Sequence, residues 1–292
     1  MKELLSPKQV ARAIGVSESS LKRWCDQGHI RTERTAGGHR RMPVDAVVLF
    51  LRERGHDIKH PEILGLPVTT GRSERTIDRA QEQLTEALVN GDEDLCRGIV
   101  LDAYLANHRL STICDQVICR AFQSIGNLWS CGDVEVFEER RACEICVSVL
   151  HELKRLIPSP DKSAPSAMGG TTNGDPYTLA NGMVELVLRE VGWNATSLGC
   201  GLPFDSMQSA IERHRPQLFW LSVSVIDDAP CFVNGMNQLF ETARSSGTAL
   251  AIGGRAIESE IRQNIRYTSF CDLMEHLDGF ASSLRRSTTS PG

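Results

Sequence analysis

Residues 6–30 read SPKQVARAIGVSESSLKRWCDQGHI, and this stretch decides how the chain begins to fold. Ser6 before Pro7 has the form of a helix N-cap followed by a first helical residue. A hydroxyl satisfies an orphan N–H there, and proline brings none to satisfy. Val10, Ala11, Ala13 and Ile14 supply a short apolar face, and Gly15 permits the left-handed turn that ends it. Ser17 stands where a second helix would be capped, running through Ser20, Leu21, Lys22, Arg23 and Trp24. Two short helices about a glycine turn predict a helix-turn-helix. The second helix would enter a major groove, with its N-terminal residues near base edges. Glu18, Ser19, Ser20, Lys22 and Arg23 are the exposed candidates, while Leu21 and Trp24, three apart, pack inward.

Working outward, Ile30 to Arg34 and His39 to Met42 predict a hairpin turning at Ala36-Gly37-Gly38. It carries Arg31, Arg34, His39, Arg40 and Arg41 beside Gly38 at its tip and edges, where cations meet phosphates flanking a groove. Pro43 and Asp45 open a third helix, Ala46 to Arg54. Charge agrees with this picture. Residues 1–60 hold twelve Lys/Arg against seven Asp/Glu, whereas the whole 292-residue chain carries −5. A basic head on an acidic body fits a phosphate-binding module joined to a region that does not bind DNA.

The length suggests two or three domains. No run approaches the roughly 18 apolar residues of a membrane helix, and MKELLSPKQVARAIG lacks a secretory signal pattern. A cytoplasmic protein with no membrane partner is therefore expected, with its ten cysteines reduced.

His56 to Arg72, punctuated by Pro61, Gly65, Pro67 and Gly71, reads as a linker. Helical spacing follows to Ile157. Leu84 and Leu88 lie before a turn at Asn90-Gly91, Ile99 to Leu105 forms a second stripe, Ile113 to Ile125 a third, and Phe137 to Leu156 a fourth. Four stripes predict a four-helix bundle. It holds Cys96, Cys114, Cys119, Cys131, Cys143 and Cys146. Cys143 and Cys146 share one helical face, so a thiol or metal sensor is one reading and buried reduced cysteines the other. Residues 159–166 read as a second linker. Helix and strand signals then alternate: a helix at 178–191, a strand near 195–198, a helix at 205–214, the buried strand LFWLSVSV at 218–225, a helix at 230–245 and a strand at 249–252 ending in Gly253-Gly254. A short helix, a strand near Tyr267 and a last helix from about 272 complete the run. Such alternation predicts a parallel sheet flanked by helices, with ligands at the carboxyl ends of its strands.

Two resemblances follow from these residues. SPKQVARAIGVSESSLKRWCDQGHI with TAGGHRRMPVDAV at 35–47 resembles the winged helix-turn-helix of MerR-type and excisionase-like regulators. The whole order resembles the CarH/CarA/LitR photoreceptor regulators, which join such a head to a helical cap and a flavodoxin-like cobalamin-binding domain. The expected architecture is thus multi-domain α and α/β: a winged helix-turn-helix at 1–58, a four-helix, cobalamin-cap-like bundle at 74–158, and a cobalamin-binding-like Rossmann domain at 166–284. That family's Asp/Glu-x-His-x-x-Gly, Ser-x-Leu and Gly-Gly motifs fall on Asp175, Tyr177 and Ala180, on Ser222 and Ser224, and on Gly253 and Gly254. Its cap motif falls on Trp129, Glu139 and Arg140.

Three imidazoles of the family are replaced, by Tyr177, Arg140 and Ser130. A neutral phenol with a pKa near 10 is a poor cobalt ligand. Tyr177 fills the ligand's place or lies at the surface, and Trp129 packs the bundle or covers a ligand. Arg140 follows Glu139 directly, a spacing at which helical side chains do not face each other. The resemblance, so altered, implies a DNA-binding transcription regulator and not an enzyme. Its C-terminal region would bind no cofactor, or cobalamin only without a protein ligand, and no metal. Its partners would be a double-stranded DNA operator, further copies of itself, and a small-molecule or protein effector. The competing readings are a cobalamin-dependent light-responsive repressor with atypical ligation, the thiol or metal sensor, and a corrinoid carrier of a methyltransferase.

Overall fold

The computed structural model describes residues 4–67, 77–161 and 163–289, with side chains to 286. The chain divides into two compact units, Met1–Pro158 and Ser159–Gly292.

The first unit starts with β1 (Leu4–Leu5), α1 (Pro7–Ile14) and α2 (Glu18–Asp26). Ser6 and Gln9 form a capping box: Ser6 Oγ accepts from the Gln9 N–H at 3.3 Å and Gln9 Oε1 accepts from the Ser6 N–H at 2.9 Å. Ser17 Oγ accepts from the Ser20 N–H at 3.1 Å and starts α2 in the same way. Gly15 lies at φ 72°, where a side chain is strained, and makes the turn between the helices. The expected hairpin is present but shorter, β2 (Glu33–Arg34) against β3 (Arg40–Pro43). Leu4 and Leu5 add a third antiparallel strand on the other edge of β3, which two residues are too few to announce. α3 (Val44–Arg54) follows at once, because Pro43 holds the extended conformation of an N-cap.

Residues 56–67 of the expected linker are built into the first unit. A 3-10 turn at Pro61–Leu64 seats Leu64 in the core, and the Lys59 and His60 N–H groups both donate to the Ala13 carbonyl. Proline and glycine here make a tight turn on α1, not a tether. The remainder, 68–72, and the expected start of the bundle at 74 lie outside the described residues.

The bundle comprises α4 (Ile77–Asn90), α5 (Glu93–Leu105), a third rod and α8 (Val136–Leu156). The third rod runs through α6 (Leu110–Thr112), a π-helical stretch (Ile113–Cys119) and α7 (Arg120–Cys131). Leu84, Leu88, Ile99, Ile113, Val117, Ile125 and Leu153 are each under 2% exposed and form its apolar seam. α3 packs on α5 and α8, so the head and bundle share one unit.

The second unit alternates β4 (Ser166–Thr171), α9 (Leu179–Glu190), β5 (Asn194–Ser197), α10 (Phe204–His214), β6 (Leu218–Ser222), α11 (Ala229–Ser246), β7 (Ala249–Gly253), α12 (Ser259–Asn264), β8 (Ser269–Phe270) and α13 (Met274–Thr289). Its five strands are all parallel, in the order β5-β4-β6-β7-β8. β4 occupies a stretch, 166–171, that carried no strand expectation, since its Gly169-Gly170 pair weakens the β signal. Side chains alternate across β6. Phe219 and Leu221 enter one apolar core with Phe232, Met236 and Leu239 of α11, while Trp220 faces α9. From β4 the chain passes to β5 on one side and then returns past β4 to β6 on the other, so the switch point lies between β4 and β6.

Candidate functional site

The exposed surface of α2 and the hairpin brings the predicted cations together. Lys22, Arg23, Arg34 and His39 are exposed and Arg41 is half-buried. None of these five side chains has an ion pair or hydrogen bond among the described residues. Such groups lose only water when a phosphate arrives. Gly38 lies at φ 78° and closes the hairpin tip, and the Ser19 hydroxyl rests 2.9 Å from that of Ser17. The Ser17 hydroxyl also donates to Ser20 Oγ at 3.0 Å, so both serines take part in the cap as well as facing outward.

Two predicted cations are engaged within the fold. Arg31 reaches Asp45 at 3.1 Å, and Asp45 is buried. Arg40 reaches Asp26 at 2.6 Å. Beneath them, Trp24 lies 5.1 Å from both Phe50 and His56, and this aromatic cluster backs α2 against α3. Trp24 is thus half-buried in that cluster and Leu21 fully buried, as their spacing on α2 requires.

Sequence reasoning missed the junction behind the head. Arg52 of α3 is 9% exposed, with its guanidinium 3.7 Å from the centre of the Tyr104 ring and its Nη2 donating to the His108 carbonyl at 3.0 Å. Arginine in the last turn of α3 had no visible partner in sequence, because its contacts at Tyr104 and His108 belong to a distant part of the chain.

On the bundle, Trp129 is 55% exposed and does not pack the core. Val136 and Phe137 are exposed too. Arg140 and Glu139 come within 3.6 Å, against the spacing rule, because both long side chains bend toward each other. Three of the bundle thiols, Cys96, Cys143 and Cys146, are held in the thiol form by their surroundings. Burial pushes Cys96 and Cys143 up to about 12, Cys143 also beside the Glu139 carboxylate. Cys146 is raised as well, by burial and the neighbouring thiols Cys143 and Cys96. The reactive thiolate is therefore scarce at neutral pH. Among the described residues no three of His, Cys, Asp and Glu are grouped to hold a metal.

At the strand ends of the second unit, Asp175 is buried. One carboxylate oxygen accepts from the Tyr177 N–H at 3.1 Å and the other from the Ser224 N–H at 2.5 Å. Tyr177 is half-buried with the Arg255 guanidinium 5.5 Å from its ring centre. Gly254 lies at φ 123°, where a Cβ would meet the Val223 backbone, so glycine serves the packing of two loops there. Ser222 is buried, Gly253 pairs with it across β6 and β7, and Ala180 lies half-buried on α9.

Next to Ala180, Asn181 turns under the sheet. Its amide donates to Ser197 Oγ at 2.7 Å and to the Gly199 carbonyl, and its oxygen accepts from Trp220 Nε1 at 2.7 Å. Trp220 is 2% exposed and lies so close over Gly169 that a Cβ there would be 2.3 Å from the ring. Sequence reasoning took Trp220 only as part of a buried strand. The Gly169-Gly170 pair was the available signal, since glycine inside a strand marks close approach.

Comparison with known proteins adds two family matches. Residues 4–55 match a family model described as a helix-turn-helix domain, and residues 80–154 match one described as a B12 binding domain. By sequence, no curated protein matches the chain. Among solved structures, the Methanosarcina barkeri monomethylamine corrinoid protein is similar at a TM-score of 0.61 and 14% identity, over 72% of this chain and all of that one. A cobalamin-binding protein from Desulfitobacterium hafniense aligns at 0.38 and 15%, over 74% of this chain and 99% of that one. At 14% identity the likeness to the first of these is one of fold.

The residues at the strand ends do not fit a ligated corrinoid. A metal-bound imidazole is held by a carboxylate on its second nitrogen. Here position 177 is a phenol, so no imidazole stands beside Asp175, whose two oxygens accept from backbone N–H groups. The chain thus carries an N-terminal helix-turn-helix domain, a helical region of B12-binding type, and a parallel α/β unit of the kind seen in corrinoid proteins.

Proposed function

We propose that this chain is a transcription regulator: a winged helix-turn-helix head grips an operator, and the bundle and sheet unit set its occupancy without ligating cobalt through a histidine. The observation that carries the reading is the set of cations Lys22, Arg23, Arg34 and Arg41 on one helix and its hairpin, without side-chain partners among the described residues, within a stretch that matches a helix-turn-helix family. Charge-neutralising contacts of this kind release counterions, so the affinity falls as salt rises. A single head covers little DNA, and the operator is therefore a repeat or palindrome occupied by a homo-oligomer. The effector is a small molecule or protein that is not held by cobalt chemistry, and no catalytic step is assigned.

A mobility-shift titration of the full chain against duplexes from a genomic library tests this. The expected result is a retained subset whose affinity declines steeply with salt. A chain that retains no duplex at low ionic strength overturns the reading.

The match of residues 80–154 to a B12-binding family supports a second reading, in which cobalamin is bound through its ring alone. Adenosylcobalamin added in darkness, followed by gel filtration and an absorption spectrum, separates the two. No corrinoid is expected to remain with the protein, and a stoichiometric light-sensitive complex would favour the second reading.

A further inference from the structure

The two adjacent arginines of the hairpin have different surroundings. Side chains alternate along a strand. Met42 and Arg40 of β3 point toward α2: the Cys25 thiol donates to Met42 Sδ at 3.7 Å, in the core. Arg40 Nη2 donates to Asp26 Oδ1 at 2.6 Å, and its Nη1 to the Lys22 carbonyl at 3.4 Å. Arg41 points the other way and has no side-chain partner among the described residues. Arg34 stands directly across the hairpin from Arg40. Two like charges opposite one another oppose pairing, so the Asp26 carboxylate also neutralises a conflict built into the hairpin.

On the DNA reading above, we infer that Arg40 is a positioning residue and not a phosphate contact. Its forked guanidinium clips β3 to the last turns of α2, joining a carboxylate and a carbonyl at the negative end of that helix. The clip fixes the spacing between the helix-borne cations Lys22 and Arg23 and the hairpin-borne cations Arg34 and Arg41. That spacing determines which phosphates both sets reach together. A phosphate that took Arg40 would strand Asp26 beside DNA.

The test uses the full chain and a duplex recovered from a random-sequence library by selection. Affinity is measured by fluorescence anisotropy across a salt series. Arg41→Gln is expected to weaken binding and make the salt slope shallower by about 0.9 per head. Arg40→Gln is expected to weaken binding about two- to fivefold, as a surface ion pair allows, at an unchanged slope. Arg40→Lys keeps the charge and the fold, loses the fork, and is expected to weaken binding as well. Asp26→Asn combined with Arg40→Gln is expected to cost less than the product of the single effects, because the pair is lost only once. An Arg40→Gln slope as shallow as that of Arg41→Gln, or Arg40→Lys binding at wild-type affinity, overturns the inference while leaving the DNA reading standing. A wild-type chain from which selection recovers no duplex overturns both.

Discussion

The head and the strand ends of the sheet unit treat polar groups in opposite ways. Lys22, Arg23, Arg34 and Arg41 stand outside without side-chain partners among the described residues. At the strand ends, Asp175, Asn181 and Trp220 are buried and bonded to their own chain. A group paired only with water is inexpensive to recruit, whereas a buried, satisfied group must first be unmade. The contrast separates a surface whose charges are met by water from polar groups committed to internal packing.

Trp220→Ala breaks the packed side of this comparison with the largest expected effect. It removes a buried indole, bares Gly169 and strands the Asn181 oxygen. The expected loss is about 3–5 kcal/mol of stability in urea unfolding. A loss below about 1 kcal/mol would show that the space collapses or takes in solvent easily, and Trp220 would no longer count as tightly packed. Tyr177→His sharpens the same point. Placing an imidazole there is expected to give no cobalamin spectrum, because Trp220 and Asn181 stay buried and bonded to each other. A base-on or His-on spectrum from that single change would make the ligand, and not the packing, the decisive loss.

What the sequence made legible follows the range of each interaction. The caps at Ser6 and Ser17, the Gly15 turn and the helical and strand periods act within a few residues, and the elements they predict appear nearly where expected. β4 escaped because its glycines fit neighbours that only the fold brings near, Trp220 against Gly169 and the Gly199 carbonyl and Leu202 against Gly170. The linker reading failed over 56–67 for a related reason. Pro61 and Gly65 look the same in a tether as in a turn docked on α1. Among the candidate site residues, the cations were readable as a set, but Arg31 and Arg40 were not readable as ion-paired, since Asp45 and Asp26 are matched to them in space only. The replacement of histidine at position 177 was visible in the letters, and the locking of Asp175 was not.

Arg52 is where the contrast has an exception: it is a cation of the head that is buried. Its stacking on Tyr104 and its bond to the His108 carbonyl fix α3 to the bundle. Arg52→Ala removes a desolvated cation–π contact and a charged hydrogen bond, together about 2–4 kcal/mol. The expected outcome in the full chain is faster amide exchange in α3 with the bundle helices still protected. Unchanged exchange in α3 would show that helix packing alone holds the head, and that the guanidinium is incidental to the junction.

The smallest effects are expected at the caps. Ser6 and Ser17 sit at the exposed starts of α1 and α2, where each hydroxyl satisfies one N–H that water would otherwise reach. Ser17→Ala is expected to cost about 1 kcal/mol, a fraction of the Trp220 effect although both remove one donor–acceptor match. The difference is solvent: an N–H freed at the head finds water, and an Asn181 oxygen freed under the sheet does not. Binding should weaken in step, because α2 frays where it would meet the groove. If Ser17→Ala instead costs as much as Trp220→Ala, the head is as tightly built as the sheet unit. The division between a surface left open for a partner and a core closed against one would then fail.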